Sequence, residues 1–306
     1  MISNRVAFGE ALTSAAKADS RIVLVDADMF KSTGTEAMLR EVPSQVYSIG
    51  IAEQNAMGVA GGLASCGKVA VMPSFAVFTT MRAVEQLRNT VCYSNLNVKA
   101  VGTHAGLEIG ADGGTHQAIE DIAIARSLPN LTVLVPSTPL QTRSLTHQML
   151  TVPGPFYMRL GRNKTKEFYS QSQAFPIGGS ITHGNGKDVT IIACGSMVQV
   201  ALESQELLLT EGIAARVIDL YSIKPMDQRT IVRAARETRG IVTVEDHSII
   251  GGLGGAICEL LCSVYPAPVR RIGVEDRFGI AGNTEELYNA FGLTAEAVVQ
   301  ACRSLL

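Results

Sequence analysis

The chain has 306 residues, of which 46% are hydrophobic, and a formal net charge of −2. This length and composition indicate a globular protein with a large core and two domains, and they offer no basic excess for nucleic-acid binding. No apolar run is long enough to span a bilayer, and the start, MISNRVAFGEAL, lacks the features of a signal peptide, so we expect a cytoplasmic protein that does not bind membranes.

The first half of the chain alternates predicted helices and strands. Helices are predicted over 4–18, from 50 onward, over about 75–90 and from 139, and strands over 21–26, 46–49, 69–72, 98–103, 131–135 and 156–160. This alternation predicts an α/β domain built on a doubly wound, mainly parallel sheet, which we assign to residues 1–165.

Polar and glycine residues then accumulate over 166–186 without a sustained period, which is typical of a linker. A second, smaller alternating set follows over 187–306, with strands at 189–193, 215–220, 241–245 and 269–274 and a final helix from 294. The sequence therefore predicts two α/β domains joined by this linker.

Glu53 is the residue of the first domain that most needs an explanation. It is the only acid in a helix of small residues over 50–64, and it lies in the first turn of that helix. The helix start stabilises a negative charge, whereas apolar surroundings oppose it, which makes Glu53 a candidate for proton chemistry. The alternative is structural: Gly50 would be the N-cap, and Glu53 would reach back to cap the backbone.

A glycine-rich loop, HAGLEIGADGGTH, runs from His104 to His116 at the end of a predicted strand. Its polar side chains, which include Glu108 and Asp112, could bind a polar substrate, could bind a metal or could belong to a solvated loop. Sites in α/β sheets form at strand ends, which favours the substrate interpretation, while the spacing is a poor one for metal ligands.

Three other patterns have simpler explanations. Phe75 and Phe78 stand three apart at a helix start and are either core residues or an apolar wall for a ring. The glycines of 251–255 resemble a dinucleotide fingerprint only superficially, and we predict that they serve helix packing. Cys258 and Cys262 are four apart, but no further Cys or His accompanies them at a ligand spacing, so we predict no metal site and interpret all six cysteines as reduced.

Taken together, the ordered set of motifs resembles the C-terminal half of transketolase, its pyrimidine-binding domain plus its C-terminal domain, along essentially the whole chain. The motifs are DADMFKS, GIAEQN, PSFAVF, HAGLEIGADGGTHQ and MRLGRN, followed by VTIIACGS, ARVIDLYSIKPMD and VEDHSIIGGLGGAI. The resemblance implies a thiamine diphosphate enzyme that transfers a two-carbon ketol unit from a ketose phosphate to an aldose.

The resemblance also implies roles for individual residues. Glu53 would hydrogen-bond ring nitrogen N1′ of the cofactor's aminopyrimidine and support proton removal from thiazolium C2, which a glutamine could not do. Phe75 and Phe78 would form the wall beside the pyrimidine. The remaining assignments are Asp28 to the cofactor, Asp112 and His116 to catalysis and the hydroxyls of the ketose, and Arg5, Ser32, His104 and Arg162 to the sugar phosphate.

Three departures from the family pattern bear on substrate and assembly. Ala105 stands where transketolases have an acid, and Met81 where they have an aromatic residue. No GDG motif followed by Asn is found for the diphosphate and magnesium. We therefore expect one subunit of a split enzyme, which shares thiamine diphosphate with an N-terminal partner subunit that binds Mg²⁺ or a similar cation, with two copies of each subunit.

Other functions stay open at this stage. The beta subunit of a 2-oxo acid dehydrogenase has the same layout, and a 1-deoxyxylulose-phosphate-synthase-like carboligase is also compatible with it. A cofactor-free regulatory subunit that has kept the fold is the non-enzyme alternative. The sugar-directed loop and the four residues assigned to the sugar phosphate favour transketolase over the oxo acid dehydrogenase. Glu53, the two phenylalanines and the His/Asp loop argue against a cofactor-free subunit.

Overall fold

The computed structural model describes all of residues 1–306. The helices are α1 (Asn4–Ala18), α2 (Phe30–Thr33), α3 (Glu36–Glu41), α4 (Glu53–Ser65), α5 (Asp121–Ser127), α6 (Pro139–Thr151), α7 (Met197–Thr210), α8 (Gln228–Glu237), α9 (Leu253–Val264), α10 (Thr284–Phe291) and α11 (Ala295–Arg303).

The strands are β1 (Ile2–Ser3), β2 (Ile22–Asp26), β3 (Val46–Ser48), β4 (Val69–Phe75), β5 (Val98–Thr103), β6 (Thr132–Leu134), β7 (Phe156–Arg159), β8 (Lys164–Thr165), β9 (Ile181–His183), β10 (Val189–Ala193), β11 (Ala215–Asp219), β12 (Ser222–Lys224), β13 (Ile241–Ser248) and β14 (Val269–Val274). No helix combines the length and apolar character that crossing a membrane requires.

The chain divides into two compact units. The first consists of residues 1–105 and 124–177, and the second of residues 106–123 and 178–306. The predicted fold class, two α/β domains with a mainly parallel sheet in the first, is confirmed, whereas the domain limits given above stay a prediction.

In the first unit, six strands pair in parallel in the order β6-β7-β5-β4-β2-β3. Strands β2, β5 and β7 are buried along their whole length, as expected for a parallel sheet covered by helices. The carboxyl ends of all these strands lie at one edge of the sheet, where such folds bind ligands.

The segment after Phe75, predicted as an ordinary helix to about residue 90, contains π-helical turns over Phe78–Arg82 and Gln86–Cys92. The Ala83 amide donates to the Phe78 carbonyl over 3.1 Å, which is the i→i+5 bond of a π-helix. Thr80 donates its hydroxyl to the carbonyl four residues earlier over 2.7 Å, a bond that often bends a helix. These π-helical turns were missed because the apolar period does not reveal an i→i+5 turn.

In the second unit, five strands have the order β14-β13-β10-β11-β9, with only β9 antiparallel to its neighbour. The glycine run before α9 serves this unit's own packing. Glu245 accepts hydrogen bonds from the amides of Leu253 at 2.6 Å and Gly254 at 2.8 Å, at the start of the helix. A carboxylate of the chain itself thus occupies the position that a phosphate takes in a dinucleotide fold, in agreement with the predicted packing role.

Candidate active site

Most of the predicted site residues follow strand ends of the first unit. Asp28 follows β2, Glu53 begins α4 after β3, Phe75 ends β4, His104 follows β5 and Arg162 follows β7. Because these strands are parallel, their carboxyl ends place residues that are far apart in the sequence along one edge of the sheet.

The carboxylate of Glu53 is 3% exposed and accepts a 2.9 Å hydrogen bond from Nη1 of Arg82. Ala52, not Gly50, precedes the helix as its N-cap, and no side-chain cap is formed there. The alternative in which Gly50 is the N-cap and Glu53 caps the backbone is therefore wrong, because the carboxylate of Glu53 accepts from a cation of another element and not from its own backbone.

Phe75 and Phe78 are half-buried, and their rings stack with centroids 5.9 Å apart and planes inclined by 22°. The guanidinium of Arg82 lies 4.1 Å from the centre of the Phe78 ring. The sequence interpretation missed Arg82. The available signal was a cation four residues after Phe78, on the same helical segment.

A second group of predicted residues forms a positively charged cluster. Arg5, in the first turn of α1, donates to the Ser32 carbonyl over 2.6 Å, while its buried Nε has no hydrogen-bond partner. His104 is buried, and its ring centroid lies 4.3 Å from that of Phe75. This contact connects the cluster of Arg5, Ser32, His104 and Arg162 to the aromatic pair.

The cluster has strong electrostatic consequences for His104. Burial, with added repulsion from Arg5 and Arg162, lowers the pKa of His104 to about 3. Burial and the charge of Arg162 likewise lower the pKa of Arg5. Cations that repel one another in a partly buried place are stabilised by an anion, so this cluster is suited to an anionic group.

Asp28 is exposed and has a left-handed backbone with φ 63°, in the polar segment that follows β2. The carboxyl group of Asp26, two residues earlier, is fully buried. Its Oδ2 accepts from the Met29 amide at 2.8 Å, whereas Oδ1 has no partner. Burial, the largest cause, raises the pKa of Asp26 to about 6.

Asp112 and His116 lie on the loop 106–117, which folds with the second unit and not with the first. Asp112 is exposed and His116 half-buried, with Nδ1 of His116 3.0 Å from the Thr115 hydroxyl. Glu108 of the same loop is buried and lies within 3.3 Å of the Tyr288 hydroxyl, which indicates a structural role. No group of three or more His, Cys, Asp or Glu side chains is arranged to hold a metal ion.

Comparison with known proteins gives a consistent result. Residues 1–167 match the model of the transketolase pyrimidine-binding domain, and residues 179–298 match that of the transketolase C-terminal domain. The chain is 38% identical to a 6-deoxy-6-sulfo-D-fructose transketolase subunit from a Clostridium species, with 98% of this chain and 94% of that protein covered.

It is also 38% identical to an apulose-4-phosphate transketolase subunit from Phocaeicola vulgatus, with 100% of this chain and 97% of that protein covered. A solved structure described as a split gene transketolase, inactive beta4 tetramer, superimposes with a TM-score of 0.91 at 44% identity, over 100% of this chain and 98% of that one. These matches cover both domains and confirm the resemblance inferred from the motifs. The chain belongs to the transketolase family and is similar to the C-terminal subunits of its split members.

Proposed function

We propose that the chain supplies the pyrimidine-binding half of a thiamine diphosphate-dependent transketolase and works with a separate N-terminal-type subunit that holds the diphosphate and a divalent cation. The carboxylate of Glu53, buried at the start of α4 in the same unit as the stacked Phe75–Phe78 pair, is the observation that carries this proposal. The split relatives, which are described as subunits, support the need for a partner. Two copies of each subunit form the simplest closed assembly.

The residues present fit the aminopyrimidine half of the cofactor. An acid that is 3% exposed can hold a proton on a ring nitrogen, and the two aromatic side chains offer apolar faces to a flat ring. When bound, thiamine diphosphate supplies the carbon centre that carries the two-carbon unit. Glu53 would keep ring nitrogen N1′ protonated, Phe75 and Phe78 would orient the ring, and Asp28 would contact the cofactor from the turn after β2.

The positively charged cluster indicates the class of sugar. Arg5, Ser32, His104 and Arg162 would bind the anionic end of a ketose, while Asp112 and His116 would bind its hydroxyls next to the reacting carbon. The Clostridium relative is named for a sulfonated sugar and the Phocaeicola relative for a phosphorylated one. Both terminal groups are tetrahedral anions, so we propose a ketose donor with a terminal phosphate or sulfonate.

Calorimetry with thiamine diphosphate and Mg²⁺, on this chain alone and mixed with the product of the neighbouring reading frame, tests the assembly. We expect tight binding only in the mixture. Ketol transfer from phosphorylated and sulfonated ketoses, measured beside decarboxylation of pyruvate and branched-chain oxo acids, then tests the reaction. The absence of binding in the mixture, with both proteins folded, or decarboxylation without ketol transfer, would overturn the proposal.

A further inference from the structure

The loop 106–117 is attached to the second unit at its start through a buried carboxylate. Asp246, at 2% exposure on β13, accepts the Leu107 amide with both oxygens, at 3.0 and 3.1 Å. Gly106 has φ +66°, and a Cβ there would lie 2.2 Å from Asp246 Oδ2. A side chain at 106 would therefore displace this carboxylate, so glycine is required for the attachment.

Tyr288 of α10 reinforces the same attachment. Its hydroxyl lies 3.1 Å from Asp246 Oδ2, 3.3 Å from Glu108 Oε1 and 3.3 Å from the Ser196 hydroxyl. Burial and the two neighbouring carboxylates raise the pKa of Tyr288 well above its ordinary value. The phenol therefore stays protonated, and its one hydrogen is shared between the strand carboxylate and the loop carboxylate, which both lie within hydrogen-bond distance of it.

The far end of the loop has its own attachment, to the segment that precedes α10. Gln117, which is buried, donates from Nε2 to the Ile280 carbonyl over 2.9 Å. The backbones also approach closely here, because a Cβ at Gly114 would lie 2.4 Å from the Gly279 carbonyl oxygen. One further bond, 2.7 Å from the Ser248 amide to the Ile119 carbonyl, continues the attachment along β13.

Asp112 and His116 lie between these two attachments. We infer that Asp246, Tyr288 and Gln117 are positioning residues for substrate: they hold the loop so that Asp112 and His116 meet the ketose hydroxyls. The part of this inference that concerns substrate rests on the proposed function. The part that concerns the attachment of the loop rests only on contacts within the second unit, and hydrogen exchange tests it separately.

The first experiment follows amide hydrogen exchange of the isolated chain. In Tyr288→Phe, exchange of the amides in 107–117 should rise by about tenfold or more, because the one buried donor that lies between the two carboxylates is lost. Exchange in β10 and β11 should stay unchanged. Tyr265→Phe is the matched control, since that tyrosine is 37% exposed and contacts Arg236 instead of the loop. Unchanged exchange in the loop would overturn the inference.

The second experiment uses the assembled enzyme. Tyr288→Phe and Gln117→Leu should each raise KM for the ketose by about tenfold and leave the affinity for thiamine diphosphate unchanged. Gln117→Leu is nearly isosteric and tests the far attachment if the tyrosine variant folds poorly. Faster exchange with an unchanged KM would overturn the substrate half of the inference. Should the wild-type assembly transfer no ketol unit, the proposed function fails, and the exchange result alone decides whether the attachment exists.

Discussion

In the first unit, Arg82 places Nη1 2.9 Å from Oε2 of Glu53, while its guanidinium covers the Phe78 ring at 4.1 Å. A guanidinium is flat and positively charged and donates N–H bonds. It thus presents to Glu53 and Phe78 the same features as an aminopyrimidine protonated on its ring nitrogen. Arg82 therefore stabilises the carboxylate of Glu53 in this chain.

Arg82→Ala should lower the thermal midpoint of the isolated chain by several degrees, which corresponds to about 1–2 kcal/mol, because a carboxylate that is 3% exposed loses its cation. The arginine is half exposed, which keeps the effect below that of a fully buried pair. When Arg82→Ala is made in a chain that already carries Glu53→Gln, the further fall in the thermal midpoint should be much smaller. Strictly additive effects would show that the pair does not contribute to stability.

Glu53→Gln should leave the assembly with the partner subunit intact and reduce kcat for ketol transfer by a factor of about 10³. Glutamine keeps the size of the side chain but cannot hold a proton on the ring nitrogen. Assembly is checked by size-exclusion chromatography and turnover by a coupled assay. Turnover within a few-fold of wild type would remove the catalytic role of Glu53.

His104 should stay neutral across the physiological pH range in the free chain, since burial and two arginines hold its pKa at about 3. A folded-state pKa below the ordinary 6.5 means that the unfolded chain binds more protons, so this histidine costs stability as pH falls from about 6.5 towards 3. NMR titration of the ring checks the value.

Inorganic phosphate or sulfate should raise the pKa of His104, because an anion offsets the two guanidinium charges. Arg162→Ala should also raise it, although it should stay below 6.5, since burial is the larger cause. The same titration on His116, outside the cluster, is the control. An unperturbed pKa of His104 that does not respond to anions would contradict the assignment of this cluster.

Asp26→Asn should stabilise the isolated chain at pH 8. Burial raises the pKa of Asp26 to about 6 from an ordinary 3.8, so the stability associated with the neutral form is fully present below about 3.8 and is lost as pH rises through 6. The gain in the free energy of unfolding at pH 8 should amount to at most about 3 kcal/mol, and it should shrink towards pH 4. The thermal midpoints of Asp26→Asn and wild type are compared from pH 4 to pH 8, and Asp276→Asn, at an exposed position, is the control. A difference between Asp26→Asn and wild type that stays constant with pH would contradict a raised pKa of Asp26.

The sequence was sufficient for the architecture, and it identified candidate site residues that follow the strand ends of the first unit. Buried strands such as β2 and β10 are apolar runs in the sequence, and Glu53 was distinctive as an acid in an apolar helix. The spacing of Phe78 and Arg82 was a signal for the contact between those two residues but not for the pairing of Arg82 with Glu53, because Arg82 is 29 residues away from Glu53 and reaches it from a π-helical turn. The attachment of Leu107 to Asp246 spans 139 residues, and no local pattern reveals such a contact.

The loop 106–117 interrupts the first unit in the sequence but folds with the second. Chimeras between related subunits, joined near residue 166, would therefore pair a loop from one parent with the Asp246 and Tyr288 of the other. Recombination that instead transfers 106–123 together with 178–306 keeps these partners together. In this fold, the cut sites that keep the loop with its contacts follow the three-dimensional units and not the linear order of the domains.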